Sequence, residues 1–425
     1  MASMSSEVEV VETQKQSMTV DMFSLLPDDL LIHVISFLPT KYAVFTSILS
    51  QRWKLLWCYA GKTLEFDDKG IRYDESGFRN FVDRVLMLYK VPLLERFSLR
   101  CDAPFVQGHR DCHQLWIEHV LNKRKAKEVE VYLGQYMCRA DILRAQVFNS
   151  EALQVLKLVC LNRFSVGDSD DANVCLPNLK ILHICFVPLH LRPRLFNNFL
   201  SGAPRLEEAF LGALMFCSAE QGYDFEYHLQ SPSLKRLRLS LQTLKISARD
   251  FVIDAPLLEE FSIDDQCFRH HVLKGMSSLV TAKVNVGVSY FRKIQHMPNY
   301  FDWTDELLQG LASVRFLYLS GCTMDVLGMA DHHNLPQFSN LSCLQIRVLN
   351  YFAWNALPSL LQNAPNLKVL VLKKDRKHWR AKFNKDSIWH QPQVVPGCLS
   401  KTLYEIEIWD CEARQVELDL ISYLL

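Results

Sequence analysis

The sequence has no excess of charge of either sign: its 425 residues carry 47 Lys and Arg against 47 Asp and Glu. That balance selects no polyanionic partner, so composition alone favours neither nucleic acid nor an acidic lipid surface. No apolar run approaches the ~20 residues needed to cross a bilayer. The opening MASMSSEVEVVETQKQSMTV has neither the basic nor the apolar segment of a secretory leader, and residues 1–20 read as a polar, disordered tail. The thirteen cysteines are odd in number, scattered, and never spaced C-x-x-C. Such usage fits small buried hydrophobes in a reducing compartment better than a disulfide framework. Together these absences point to a cytoplasmic or nuclear protein with no membrane partner.

Catalytic signatures are also missing. There is no phosphate-binding P-loop, no Rossmann glycine pattern and no G-x-S-x-G elbow, so nothing local marks the chain as an enzyme or calls for a cofactor. His109 and His113 stand four apart, with Cys101 and Cys112 nearby, and these are metal-ligand types. Arg110 occupies the place where a zincin needs its glutamate base, and C-x10-C is irregular for structural zinc, so the segment reads as a solvated loop without a metal. The adjacent pairs His270–His271 and His332–His333 point apart on any regular element and read as surface residues. The basic stretch KKDRKHWRAKFNK, Lys373 to Lys385, is the strongest candidate for nuclear import or nucleic-acid contact, and a solvated loop explains it equally well. NKRKAK, Asn122 to Lys127, is weaker.

What is present begins at Leu25. Pro27 can open a helix, and Asp28 and Asp29 complement its positive end. Leu30, Leu31, Val34, Ile35, Phe37 and Leu38 then cover more than one face of the helical repeat. Pro39 stops that helix and Thr40 can cap the next; Leu49, Trp53 and Trp57 mark one stripe of a further helix. A module of about 40 residues is too small to bury so much apolar surface by itself. Either the rest of the chain or a second protein must cover the remainder.

At 425 residues the chain exceeds the ~250–300 at which one hydrophobic core stops growing. Past Phe66 a repeat takes over: PLLERFSLRC, LQVLKLVC, LPNLKILHIC, APRLEEAFLG, SPSLKRLRLS, APLLEEFSID, MSSLVTAKVN, LASVRFLYLS, FSNLSCLQIR and APNLKVLVLK are variants of L-x-x-L-x-L. KEVEVYL around Val129 fits weakly between the first two. Such a period marks a leucine-rich-repeat solenoid, an α/β fold with a curved, mostly parallel sheet and a helical convex side. RPRLFNNFLSGAP (192–204) and WNALPSLLQNAP (354–365), apolar at helical spacing, are expected on that convex side.

The fifth position of each motif faces outward on the concave strands, giving a column of Ser98, Lys157, His183, Phe210, Arg238, Ser262, Lys283, Tyr318, Gln345 and Val371. Mixed charge with a few aromatics suits a protein or peptide surface, and His183, Phe210, Arg238, Lys283 and Tyr318 are its candidate substrate contacts.

LLPDDLLIHVISFLPTKYAVFTSILSQRWKLLW resembles an F-box nearly position for position, from Leu26-Pro27 and the acidic pair through SFLPTK and TSILS to Arg52-Trp53 and Leu56-Trp57. Gln51 departs from the lysine usual before the Arg-Trp pair. Near the C-terminus, Trp389, Pro392, Val395, Pro396, Cys398 and Leu399 resemble the FBD region of plant F-box proteins with leucine-rich repeats. That family commonly continues into one more strand, so the last repeat is expected to be incompletely capped; Trp389 and Trp409 look structural. The resemblance divides the chain into a tail (1–20), an F-box (21–67), leucine-rich repeats (68–350), and a last repeat with the FBD region (351–425).

The resemblance implies that the F-box docks on a Skp-type adaptor through Leu26, Pro27, Leu30, Leu31, Ile35, Leu38 and Pro39, with Arg52 and Trp53 nearby. It implies a non-catalytic, monomeric substrate-recognition subunit of a Skp–cullin–F-box ubiquitin ligase, reaching the cullin and RING subunits through the adaptor. A scaffold that binds partners without degrading them, its F-box serving only as a tether, is the alternative.

Overall fold

The computed structural model describes residues 22–69, 75–102, 112–134, 140–143, 148–160, 164–166, 174–190, 193–215, 225–241, 248–265, 270–287, 300–329, 334–349, 351–374, 389 and 392–425. The tail 1–20, His109, His332–His333 and most of the basic stretch after Lys374 lie outside these residues. Among those described, no helix is long and apolar enough to cross a membrane.

The chain forms two compact units. The first holds residues up to Gly61 together with Tyr89–Val91. Its helices, α1 (Asp28–Ile35) and α2 (Thr40–Phe45), each start directly after a proline. Pro27 and Pro39 hold extended backbone with φ of −66° and −53°, and their carbonyls accept the first intrahelical bonds from Leu31 and Ala43. Pro27 therefore stands one position before the helix rather than inside it, and Thr40 is a buried first residue rather than a cap. The segment expected to carry Leu49, Trp53 and Trp57 on one α-helical stripe is a 3₁₀ helix, Trp53–Tyr59. Trp53, Leu56 and Trp57 are buried, while Leu49 lies before it in an exposed turn. Gly61, at φ +70°, closes the unit in the left-handed region that a side chain strains to adopt. The Tyr89 hydroxyl donates to the Gly61 carbonyl at 2.8 Å.

The second unit contains the strands β1 (Thr63–Asp67), β2 (Arg96–Cys101), β3 (Glu128–Leu133), β4 (Ala140–Leu143), β5 (Val155–Cys160), β6 (Phe164–Val166), β7 (Ile181–His190), β8 (Glu208–Met215) and β9 (Phe225–Gln230). There follow β10 (Arg236–Leu241), β11 (Ala248–Asp254), β12 (Glu260–Asp265), β13 (His270–Lys274), β14 (Thr281–Val286), β15 (Phe316–Leu319), β16 (Cys343–Val348), β17 (Val369–Lys374) and β18 (Glu405–Trp409). Its main sheet runs β1-β2-β3-β5-β7-β8-β10-β12-β14-β15-β16-β17-β18, all neighbours parallel. The repeat read from sequence is this sheet: Leu94, Leu153, Leu179, Leu206, Leu234, Leu258, Leu279, Val314, Leu341 and Leu367 are all buried, one per strand entry. The weak fit around Val129 is a full strand, β3. The first strand, β1, lies within the residues assigned by sequence to the F-box, because its pattern Thr-Leu-Glu-Phe-Asp is too short to show a repeat; the compact units divide at Gly61.

The residue before the repeat leucine adds a second tie. Asn178, Ser233, Ser313, Asn340 and Asn366 each donate a side-chain hydrogen bond to a backbone carbonyl of the preceding repeat. Those carbonyls lie in turns, where the strand ladder offers no donor. Opposite the main sheet, helices Pro193–Ser201 and Leu357–Gln362 stand where helical spacing places them. Three central repeats instead return through β9, β11 and β13, a separate parallel sheet. FEYHLQ buries Tyr227 and Leu229 at period two, which cannot sit on one side of a helix, and in ARDFVID the consecutive Phe251, Val252 and Ile253 are all buried.

Two histidine readings change. His270 and His271 do point apart on β13, but His271 is core, 2.8 Å from the buried carboxylate of Asp265, and His270 is bonded to Glu306. Burial of one of the pair follows from strand alternation once β13 is packed on β11.

At the C-terminus Trp389 is buried against Tyr423, with ring centroids 5.6 Å apart, and Cys398 is buried with its thiol on the Leu361 carbonyl. Trp409 is not structural in that sense: it is half exposed at the end of β18, its indole bonded to Glu407 and its ring 5.7 Å from the Lys373 ammonium. The final helix, Gln415–Leu424, buries Leu420, Tyr423 and Leu424 and supplies the last repeat with a cap that the sequence left unexpected.

Candidate functional site

Two surfaces are candidates for function, one in each unit. On the first, α1 is apolar on more than one face, and the structure divides its apolar residues. Leu31 and Ile35, one helical turn apart, are buried inside the unit, while Leu30, Val34 and Phe37 at i, i+4 and i+7 form an exposed stripe. Leu25, Leu38, Tyr42, Phe45, Ile48, Leu49 and Leu55 are exposed as well. Of the residues expected at the adaptor face, Pro27, Leu30, Leu38 and Pro39 are exposed and Leu26 is half-buried. Leu31, Ile35 and Trp53, also expected there, are buried inside the unit. Arg52 acts within the unit, where its guanidinium bonds Asp28 at 2.8 Å and the carbonyls of Ser24 and Leu26, tying the Met22–Leu25 turn to the start of α1. Phe37 and Ile48, the most exposed large side chains of this group, were not placed at the adaptor face by sequence; for Phe37 the signal was the breadth of the apolar arc that begins on α1.

The second surface is the open face of the main sheet. The register carries one column across it: Ser98 opposite Glu130, then Lys157, His183, Phe210, Arg238, Ser262, Lys283, Tyr318, Gln345 and Val371 in unbroken succession. Every residue of the expected column occupies it, with Glu130 added by β3. His183, Phe210, Arg238, Lys283 and Tyr318 line two adjoining hollows of about 420 and 380 Å³, which share Phe210, Arg238, Ser262 and Lys283. His183 packs edge-on to Phe210 at 5.9 Å, and the Arg238 guanidinium lies 5.8 Å from the same ring.

Ion pairs organise the flanks. Glu130 joins Arg96 at 2.7 Å and Lys157 at 2.6 Å; Glu208 joins His183 at 2.7 Å and Arg236 at 2.8 Å. Burial pushes both carboxyl pKa values up, but the hydrogen bonds from their two basic partners outweigh it and hold each below the ordinary carboxylate value. Both stay ionised, and four basic groups are committed to them.

Of the cysteine–histidine segment, residues 103–111 lie outside the described residues, and its two ends are not solvated: Cys101 is buried at the end of β2, and Cys112 and His113 are buried at the start of the helix Cys112–Glu118. The Cys112 thiol lies 3.7 Å from His113 Nδ1, yet burial pushes it up to about 11, the wrong direction for a nucleophile. Among the described residues no group of His, Cys, Asp and Glu is arranged to hold a metal ion.

Burial also lowers His113 from 6.5 to about 4, so the folded chain keeps it neutral. Below pH 6.5 the unfolded chain takes up a proton that the folded chain refuses, so stability should fall as pH drops from 6.5 to about 4 and then level off. The expected loss is on the order of 3 kcal/mol. Urea titrations at stepped pH should show a shallower slope in that window for His113→Phe; an unchanged slope would assign the loss to other groups.

Residues 23–63 match the F-box domain family, and residues 114–286 match the family described as FBD-associated F-box protein At5g56370, LRR repeats. The chain is similar to several Arabidopsis thaliana proteins. It is 31% identical to F-box/LRR-repeat protein At4g14103 over 83% of this chain and 91% of the relative. It is 30% identical to F-box/LRR-repeat protein At3g59200 over 90% and 74%, and 29% identical to FBD-associated F-box protein At4g10400 over 96% and 90%. The F-box match falls on the helical unit and the repeat match on the parallel sheet, and the chain belongs to the F-box/leucine-rich-repeat protein family.

Proposed function

We propose that the chain is the substrate-recognition subunit of a Skp–cullin–F-box ubiquitin ligase. The observation that carries this reading is the stripe of Leu30, Val34 and Phe37, left open on a module that matches the F-box domain. A Skp-type adaptor is the partner F-box domains generally take, and covering these side chains removes apolar area from water at roughly 25 cal/mol per Å². Cullin and RING subunits follow through the adaptor, and they and a charged ubiquitin-conjugating enzyme supply the chemistry. This chain contributes proximity: a substrate held on the open sheet face presents its lysine to the thioester as an intramolecular partner. No catalytic group of its own is required.

The test is reconstitution. The full chain and a Skp-type adaptor should co-purify as a one-to-one complex, and adding cullin, RING and conjugating enzyme should yield ubiquitin transfer to proteins retained by the chain. A well-folded chain that binds no adaptor would overturn the proposal. Adaptor binding with retained proteins never modified would place the chain among non-degradative scaffolds, tethered by its F-box.

A further inference from the structure

The open sheet face carries a pattern that folding does not require. Across five neighbouring strands the central column reads Phe210, Arg238, Ser262, Lys283, Tyr318: aromatic, cation, hydroxyl, cation, aromatic, in register. Other cations of this face are neutralised, Arg96 and Lys157 by Glu130 and Arg236 by Glu208. Arg238 and Lys283 have no carboxylate partner among the described residues, and both are exposed. They stand two strand spacings apart, ~10 Å, with Ser262 between them where the two hollows overlap.

The surroundings set the charge of what fits. Glu260 and Asp264 lie two residues before and after Ser262 on β12, about 7 Å away on either side along the strand. The two cations and two carboxylates sum to zero, so a single carboxylate over Ser262, one strand spacing from each cation and farther from each acid, leaves one surplus negative charge where a dianionic phosphate leaves two. Phe210 and Tyr318 each lie a further strand beyond their cation, ~10 Å from Ser262. Three residues of polyproline II advance ~9 Å and return the side chain to the same side of the chain. A β-strand would turn that third residue to the opposite face.

Resting on the proposal that substrate docks on this face, we infer that it receives a peptide segment in polyproline II conformation. The segment carries one Asp or Glu over Ser262 and an apolar side chain three residues to each side, on Phe210 and on Tyr318.

The probe is a fluorescent, proline-rich nonapeptide with glutamate at its centre and leucine three places to either side, titrated into the full chain and read by anisotropy. Saturable binding is expected, at least tenfold weaker when the central glutamate is replaced by glutamine, and weaker again with phosphoserine there. Arg238→Gln and Lys283→Gln, both at exposed positions, should each weaken binding of the glutamate peptide about tenfold with unchanged melting temperature. Equal binding of glutamate and glutamine peptides, tighter binding of phosphoserine, or no binding by a folded chain would overturn the inference. Ser262→Trp separates it from the wider reading, since the indole fills the floor of both hollows. If the peptide fails while Ser262→Trp abolishes ubiquitination of retained proteins in extract, the face docks a different chemistry. If Ser262→Trp leaves that ubiquitination intact, the face is not the docking surface at all.

Discussion

Replacing Leu30 and Phe37 together by alanine should weaken binding to a Skp-type adaptor by at least a hundredfold while leaving the melting temperature of the chain within a few degrees of wild type. Both side chains are largely solvent-exposed, at 49% and 74%, so truncation removes little from the folded interior. In a complex, a fully covered apolar anchor typically contributes about 2 kcal/mol or more, and each 1.4 kcal/mol is tenfold in affinity. Leu31→Ala is the contrasting control. That side chain is completely buried, and its loss should cost about 2–5 kcal/mol of stability through the cavity it leaves. Calorimetric titration against adaptor, with circular dichroism melts of the same samples, separates the two outcomes. An exposed-face variant that binds as wild type would mean that the partner covers some other part of the unit.

The second large effect is at the other end of the chain. Lys374, at the end of β17, is 4% exposed and bonds Glu417, equally buried, at 3.1 Å and Glu412 at 3.0 Å. Glu417 also accepts backbone hydrogens from Glu412 and Arg414, so one carboxylate both satisfies a buried ammonium and starts the Gln415–Leu424 helix. Glu417→Ala removes the buried carboxylate partner of the ammonium, and removal of one partner of a buried pair costs about 3–5 kcal/mol. The loss should appear as early unfolding of the last repeat, with fast amide exchange at Leu420 and Tyr423. Replacing both partners, Lys374→Met with Glu417→Leu, should recover most of it, since burying two apolar groups of similar volume strands no charge. No difference between the single and the double variant would show that the pair is not what holds the helix.

The same carboxylate fixes a pH dependence. Burial raises the Glu417 pKa, but its backbone and Lys374 hydrogen bonds together bring it below the ordinary 4.5. Its contribution is therefore complete above 4.5 and lost as pH falls through the lower folded value, so acid should release the C-terminal helix.

The repeat was legible because its signal is recurrence: ten buried positions, Leu94 through Leu367, mark strand after strand without reference to any neighbour. The central column followed from period two alone, and the register keeps it intact. What escaped was decided by packing across elements. Nothing local in HHVLK says that His271 rather than His270 meets a buried carboxylate, and nothing in KKDRK says that its second lysine is interior. β1 escaped because one short strand cannot display a period. In the helical module the apolar excess was visible, but the division between Leu31 inside and Leu30 outside depends on where the Trp53–Tyr59 helix packs.

The sheet also bears on how such a chain changes over generations. Along each strand the inward residues lock the repeat to its neighbours, while the single residue per strand in the central column touches solvent and adjacent column members. A substitution at Arg238 or Lys283 can therefore alter what the face presents with little consequence for whether the chain folds, since exposed positions rarely shift stability by more than about 0.5 kcal/mol. Gain or loss of one whole repeat would move every later column residue by one strand spacing, ~4.8 Å, without altering its chemistry. Recognition can thus drift residue by residue, or shift as a block, while the scaffold is inherited unchanged.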